Sequence, residues 1–141
     1  MTPSLPDILV GNFLCVMDPG PPEQQGEFMA GKVAIVAILS LLAAQEAERG
    51  AAARVAENAA IRAALDEAAA DYGLDVSGLP STEDLTFSAL DRVNAALRGA
   101  LIGLHEAVET RSDTARHHAI LRLYARMADL RRLDLPPLPA R

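Results

Sequence analysis

The side chains best suited to chemistry in this sequence are His105, Glu106, Glu109, Asp113, His117 and His118. His105 and Glu109 stand four apart, so on a helix they share a face, and Asp113 and His117 repeat that spacing a little further on. A tight turn at Arg111-Ser112 would fold one helix back on the other and bring two imidazoles and two carboxylates together. Such a donor set suits Zn2+ or another divalent ion, and His105, Glu109, Asp113 and His117 are the candidate metal ligands. The competing reading is plainer: these are charged residues at the ends of two helices, outside the apolar seam, where polar side chains belong in any case. Carboxylate metal centres in bundles use a Glu-x-x-His spacing, and here no Glu stands three before a His.

Other chemistry is thinner. His105-Glu106 is similar to the His-Glu start of histidine-kinase phosphoacceptor helices. Glu109, however, stands where a small polar residue would be wanted, no Pro follows, and no ATP-binding domain accompanies it in these residues. Cys15 could pair with a histidine as nucleophile and base, but it lies in the apolar run Phe13-Leu14-Cys15-Val16-Met17 and reads as a core cysteine. Gly31-Lys32 lacks the rest of a phosphate-binding loop, and there is no G-x-S-x-G and no C-x-x-C. Lys32 reads as a side chain reaching out from a helix start, and Ser40 as a hydroxyl bonded back to its own helix. No cofactor is expected.

The elements that would position these residues are helical. The strongest signal is Phe28 to Ala44, FMAGKVAIVAILSLLAA, in which Ser40 is the only polar side chain after Lys32. A helix apolar on every face must be surrounded by its own chain, by a second copy or by lipid. Ser4, Pro6 and Asp7 read as the start of a short helix covering Ile8 to Met17, ended by Asp18-Pro19-Gly20-Pro21-Pro22. From about Glu27 the sequence continues helical through an alanine-rich stretch to Tyr72-Gly73. Gly50 is the one place to reverse the chain, yet AERGAAARV holds no Pro, Asn, Asp or Ser. That favours a single long helix, 27–72, kinked near Gly50, over two helices joined there.

Ser81 with Asp84 three later reads as the cap of the next helix, which runs to Thr110. Leu90, Val93, Leu97, Leu101, Leu104 and Val108 form its seam at steps of three and four. Gly99 and Gly103, four apart, suggest the close approach of a neighbour. A last helix runs from Asp113-Thr114 to Leu133 with Ile120, Tyr124, Met127 and Leu130 inward and its arginines outward; Pro136-Pro137-Leu138-Pro139 then begins an extended tail, 136–141. The expected fold is all-α: a single domain over 1–141, a bundle of about four helices around the one fully apolar helix.

Composition narrows the function classes. Among 141 residues, half are apolar and 4% aromatic, which suits a globular helical chain. Lys32 is the only lysine beside twelve arginines, a bias expected of a GC-rich bacterial gene. The net charge of −6 is unevenly spread: up to Thr110 there are 16 acidic and 6 basic residues, and after it 7 arginines face Asp113, Asp129 and Asp134. An acidic body with a basic last helix points to pairing within or between chains and argues against nucleic acid. One cysteine and no basic leader point to a reducing, cytoplasmic setting. Phe28 to Ala44 falls short of the usual membrane span, contains Lys32 and lacks basic flanks, which argues against insertion. The functional expectation is a non-enzymatic helical protein acting through protein–protein contacts, as a homodimer or a subunit of a larger assembly. The alternatives are a ligand- or metal-binding bundle and a protein associated with a membrane or lipid surface.

Overall fold

The computed structural model describes residues 4–17 and 25–135. The expected breaker 18–22 and the tail 136–141 lie outside the described residues. The protein is all-α: α1 (Leu5–Met17), α2 (Gln25–Tyr72), α3 (Phe87–Thr110) and α4 (Thr114–Arg131). Two compact units emerge, one from residues up to Arg49 together with those from Leu133, the other from Gly50–Arg132.

α2 is a single helix of 48 residues and passes through Gly50 without a turn, so the chain does not reverse there. The cause is local. Alanine and other strong helix formers surround the glycine, whose roughly 1 kcal/mol penalty is outweighed without any competing turn chemistry. α2 ends where expected: Gly73 takes φ 65° and Leu74 N–H reaches back to the Ala69 carbonyl at 3.0 Å.

In the Gly50–Arg132 unit the core is assembled from three helices. Ile61, Leu65 and Ala68 of α2 meet the α3 seam Val93, Leu97, Leu101, Leu104 and Val108, with Ile120 and Met127 of α4 closing the third side. Every member of the seam read from the sequence is buried. The largest buried cluster among the described residues therefore lies in this unit, and 33–44 is not enclosed on every side. Val33 is 62% exposed, and Ile35, Ile38 and Leu41 are also exposed. The reason is a shortage of neighbours. In the first unit, α1 turns Leu5, Ile8, Asn12 and Cys15 inward, and the covered positions of α2 include Lys32, Val36, Leu39 and Ala43. These are two narrow stripes at helical spacing, so each helix shields one side of the other.

Other sequence expectations are corrected. α3 begins at Phe87, not at Ser81. Thr86 is the cap, its hydroxyl accepting from Ala89 N–H at 3.4 Å, and Asp84 accepts from Thr86 N–H at 2.8 Å. The residues before it are held as a loop from a distance: Arg62 donates to the carbonyls of Val76, Leu79 and Pro80 at 3.0, 2.8 and 2.9 Å. α4 stops at Arg131, two residues short of Leu133. Its arginines divide: Arg122, Arg126 and Arg132 are exposed, while Arg116 and Arg131 are half-buried and paired with acidic residues of α2 and α3.

Gly99 and Gly103 are exposed, and a methyl group at either would meet nothing within 4 Å. They mark no close approach to a neighbour among the described residues. Alanine at each should stabilise α3 by about 0.5–1 kcal/mol by restricting the unfolded backbone. Thermal melts of Gly99→Ala and Gly103→Ala should therefore shift upward; a downward shift at either would mean that the open surface is covered in solution.

Candidate functional site

The α3–α4 turn sets the geometry of the histidines. Ser112 occupies the left-handed position at the end of α3 (φ 54°), a place glycine usually takes. Ser112 N–H bonds the Glu109 carbonyl at 3.0 Å and Asp113 N–H bonds the Val108 carbonyl at 3.1 Å, the double bond of a Schellman stop. Asp113 then caps α4 directly, accepting from Arg116 N–H at 3.0 Å. With no residue to spare, the last two turns of α3 lie against the first turns of α4.

That brings three of the four sequence-predicted ligands together. His105 Nε2 lies 3.0 Å from His117 Nδ1, and Glu109 Oε1 is 3.7 Å from the first and 4.0 Å from the second. The side chain of His105 is 17% exposed and that of Glu109 59%, so the cluster is rooted in the helix interface and opens to solvent on the Glu109 side. His118 points elsewhere and is exposed, although its ring lies 5.9 Å from that of His117.

Asp113 is not in the group. One of its oxygens accepts from Arg116 N–H, and the other accepts from the Tyr72 hydroxyl at 2.8 Å. Hydrogen bonds from the Arg116 backbone and from Tyr72 hold the Asp113 carboxyl below its usual range. Tyr72 is pushed the other way, by desolvation and by the bond to Asp113. Both oxygens thus have fixed work in joining α2 to the start of α4. Arg111, stacked 4.5 Å above the Tyr72 ring and donating to the Asp71 carbonyl at 2.6 Å, closes the same corner.

Sequence reasoning missed Tyr124 as the neighbour of the histidines. Its hydroxyl is 3.3 Å from His105 Nδ1, on the opposite side of the ring from His117. Desolvation raises its pKa, so the phenol stays protonated across the physiological range. A signal existed: Tyr124 stands seven after His117, two helical turns along the same face.

A second polar cluster was also missed. Glu57 is 1% exposed, and Asn58 and Asn94 are buried beside it. Glu57 accepts from Arg131 Nε at 2.6 Å and from Asn94 Nδ2 at 2.9 Å. Asn94 also donates to Asn58 at 2.8 Å, and Asn58 donates to the Leu90 carbonyl at 3.2 Å. Next to it Arg54 donates to Asp91 at 2.7 Å and lies 4.6 Å over the Phe87 ring. Its carboxylate oxygens and amide groups are used in tying α2, α3 and α4 together, so it reads as a register lock and not as a binding site. A groove lined by Pro80, Glu83, Asp84, Arg92 and Val93 is open and shallow, and its Asp84 is committed to Thr86.

Among the described residues, no helix is long and apolar enough to cross a membrane. No protein family, curated protein or solved structure matches this chain.

Proposed function

We propose that this is a non-enzymatic helical protein that acts through protein–protein contacts, and that the partner on its apolar face is a second copy of the chain. The observation that carries the reading is the outward surface of the first unit. On α1, Leu9, Val10, Phe13 and Leu14 are all more than half exposed. On α2, Met29, Val33, Ile35, Ile38 and Leu41 are exposed as well. Large apolar side chains left exposed in this number on neighbouring helices are the mark of an interaction site.

The charge pattern supports this choice of occupant. No charged residue lies between Ile8 and Met17, and none between Val33 and Gln45. A partner that fits must itself present an uncharged apolar face, and the same face on a second copy meets that requirement. Closed twofold pairing of like faces is the commonest form of self-association. In the second unit two arginines of the basic last helix are already paired internally, Arg116 with Glu67 and Asp71, Arg131 with Glu57. Association therefore rests on apolar contact and not on exchange of those charges. A cytoplasmic place for the chain fits its single cysteine.

Val33→Arg or Phe13→Arg should convert the dimer to a monomer in sedimentation velocity while leaving the helical content of the second unit unchanged. An unaltered sedimentation coefficient in both variants would remove this face from the interface. A monomer that binds neutral lipid vesicles would replace the second copy with a lipid surface.

A further inference from the structure

We propose that His105 Nε2, His117 Nδ1 and Glu109 Oε1 form a three-ligand site for a divalent transition-metal ion of the Zn2+ class, clamping α3 to α4, with Tyr124 orienting His105. The three atoms make a triangle with sides of 3.0, 3.7 and 4.0 Å. The point equidistant from its corners lies about 2.1 Å from each, the bond length of Zn2+ to imidazole nitrogen and carboxylate oxygen. An ion lying slightly out of that plane, toward a fourth ligand, stays within bonding range of all three atoms. It takes the place of the hydrogen bond between the two ring nitrogens, the proton of His117 Nδ1 moving to Nε2 or being released to solvent.

The donor chemistry selects the ion. Two imidazoles and one carboxylate suit Zn2+, Co2+ or Ni2+, whereas Mg2+ and Ca2+ prefer sets built wholly from oxygen. Ligating imidazoles usually carry a hydrogen bond at the other ring nitrogen, which fixes the tautomer and aims the lone pair. His105 has that partner: with the proton on Nδ1 donated to the Tyr124 oxygen at 3.3 Å, the Nε2 lone pair faces His117 and Glu109. Three protein ligands leave a fourth position, which opens on the exposed Glu109 side and takes water. Asp113 has no part in the set, because both its oxygens are engaged by Tyr72 and Arg116.

The ligands come from both arms of the hairpin, 12 positions apart. Binding therefore favours the folded state over the unfolded one and raises the melting temperature. The test uses the full chain, purified without an affinity tag and stripped with chelator. Titration calorimetry with Zn2+ should give one ion per chain, and Co2+ should develop the intense visible absorption of four-coordinate geometry. Mg2+ should shift nothing. His117→Ala and Glu109→Gln, both at solvent-accessible positions, should each weaken Zn2+ binding at least tenfold, with folding checked by far-ultraviolet circular dichroism. Tyr124→Phe should weaken it about 10–100-fold without changing the stoichiometry, and His118→Ala should leave it unchanged. The proposal fails if the wild-type chain binds no Zn2+ at one per chain. It fails equally if binding survives His117→Ala undiminished, which would place any bound ion elsewhere.

Discussion

Leu101→Asp is expected to unfold the Gly50–Arg132 unit. Leu101 is 1% exposed, at the centre of the α3 seam, among core residues supplied by α2 and α4. Removing a buried leucine side chain costs about 2–5 kcal/mol, and the carboxylate that replaces it would sit in an apolar core without a cation. The sum is comparable with the roughly 5–15 kcal/mol that holds a domain of this size. Leu97→Asp, at an equally buried position, should behave the same way. Denaturant titration checks it: a cooperative transition kept at the wild-type midpoint would mean that α3 turns a different face inward.

The second large effect is expected at Glu57. Removing one member of a buried ion pair typically costs about 3–5 kcal/mol, because the other charge is left without compensation. Glu57→Ala removes the closest carboxylate from Arg131, which keeps only Asp91 at 3.8 Å, and frees an Asn94 amide hydrogen, so the loss should fall toward the lower end of that range, about 3 kcal/mol. Replacing both partners by methionine should recover most of the loss, since an apolar pair of similar volume needs no compensation. Urea midpoints for the two single variants and the double variant decide the matter. If Glu57→Ala melts like the wild type, the cluster contributes nothing to stability and its burial needs another explanation.

What could be read from the sequence was whatever is local. The α3 seam shows because Leu90, Val93, Leu97, Leu101, Leu104 and Val108 sit at fixed steps, and all six are buried. The continuity of α2 shows because nothing around Gly50 can make a turn. The errors came from residues whose roles are set at long range. Ser81 and Thr86 are both good caps; Arg62, some 18 positions upstream of Pro80, holds the intervening loop and leaves the role to Thr86. Asp113 has ligand chemistry, but Tyr72, 41 positions away, claims it. Glu57 lies on the same stripe as Ile61, Leu65 and Ala68, where a carboxylate looks misplaced until Arg131 is brought to it. The pair Gly99 and Gly103 looked like a packing face by spacing alone, and no neighbour among the described residues comes near. The candidate metal ligands were legible to the extent that helical spacing governs them, which is His105 with Glu109; their meeting with His117 depends on the turn.

The apolar stretch of α2 joins these threads. Its composition requires cover on every side, and within the first unit α1 covers one stripe of it. On the proposed reading self-association would supply the rest, by the same burial of apolar surface that builds the core of the second unit. Light scattering coupled to gel filtration, on the full chain at micromolar concentration without detergent, tests this most directly. The account predicts one species at twice the chain mass of 14.9 kDa. A single monodisperse species at 14.9 kDa would contradict it.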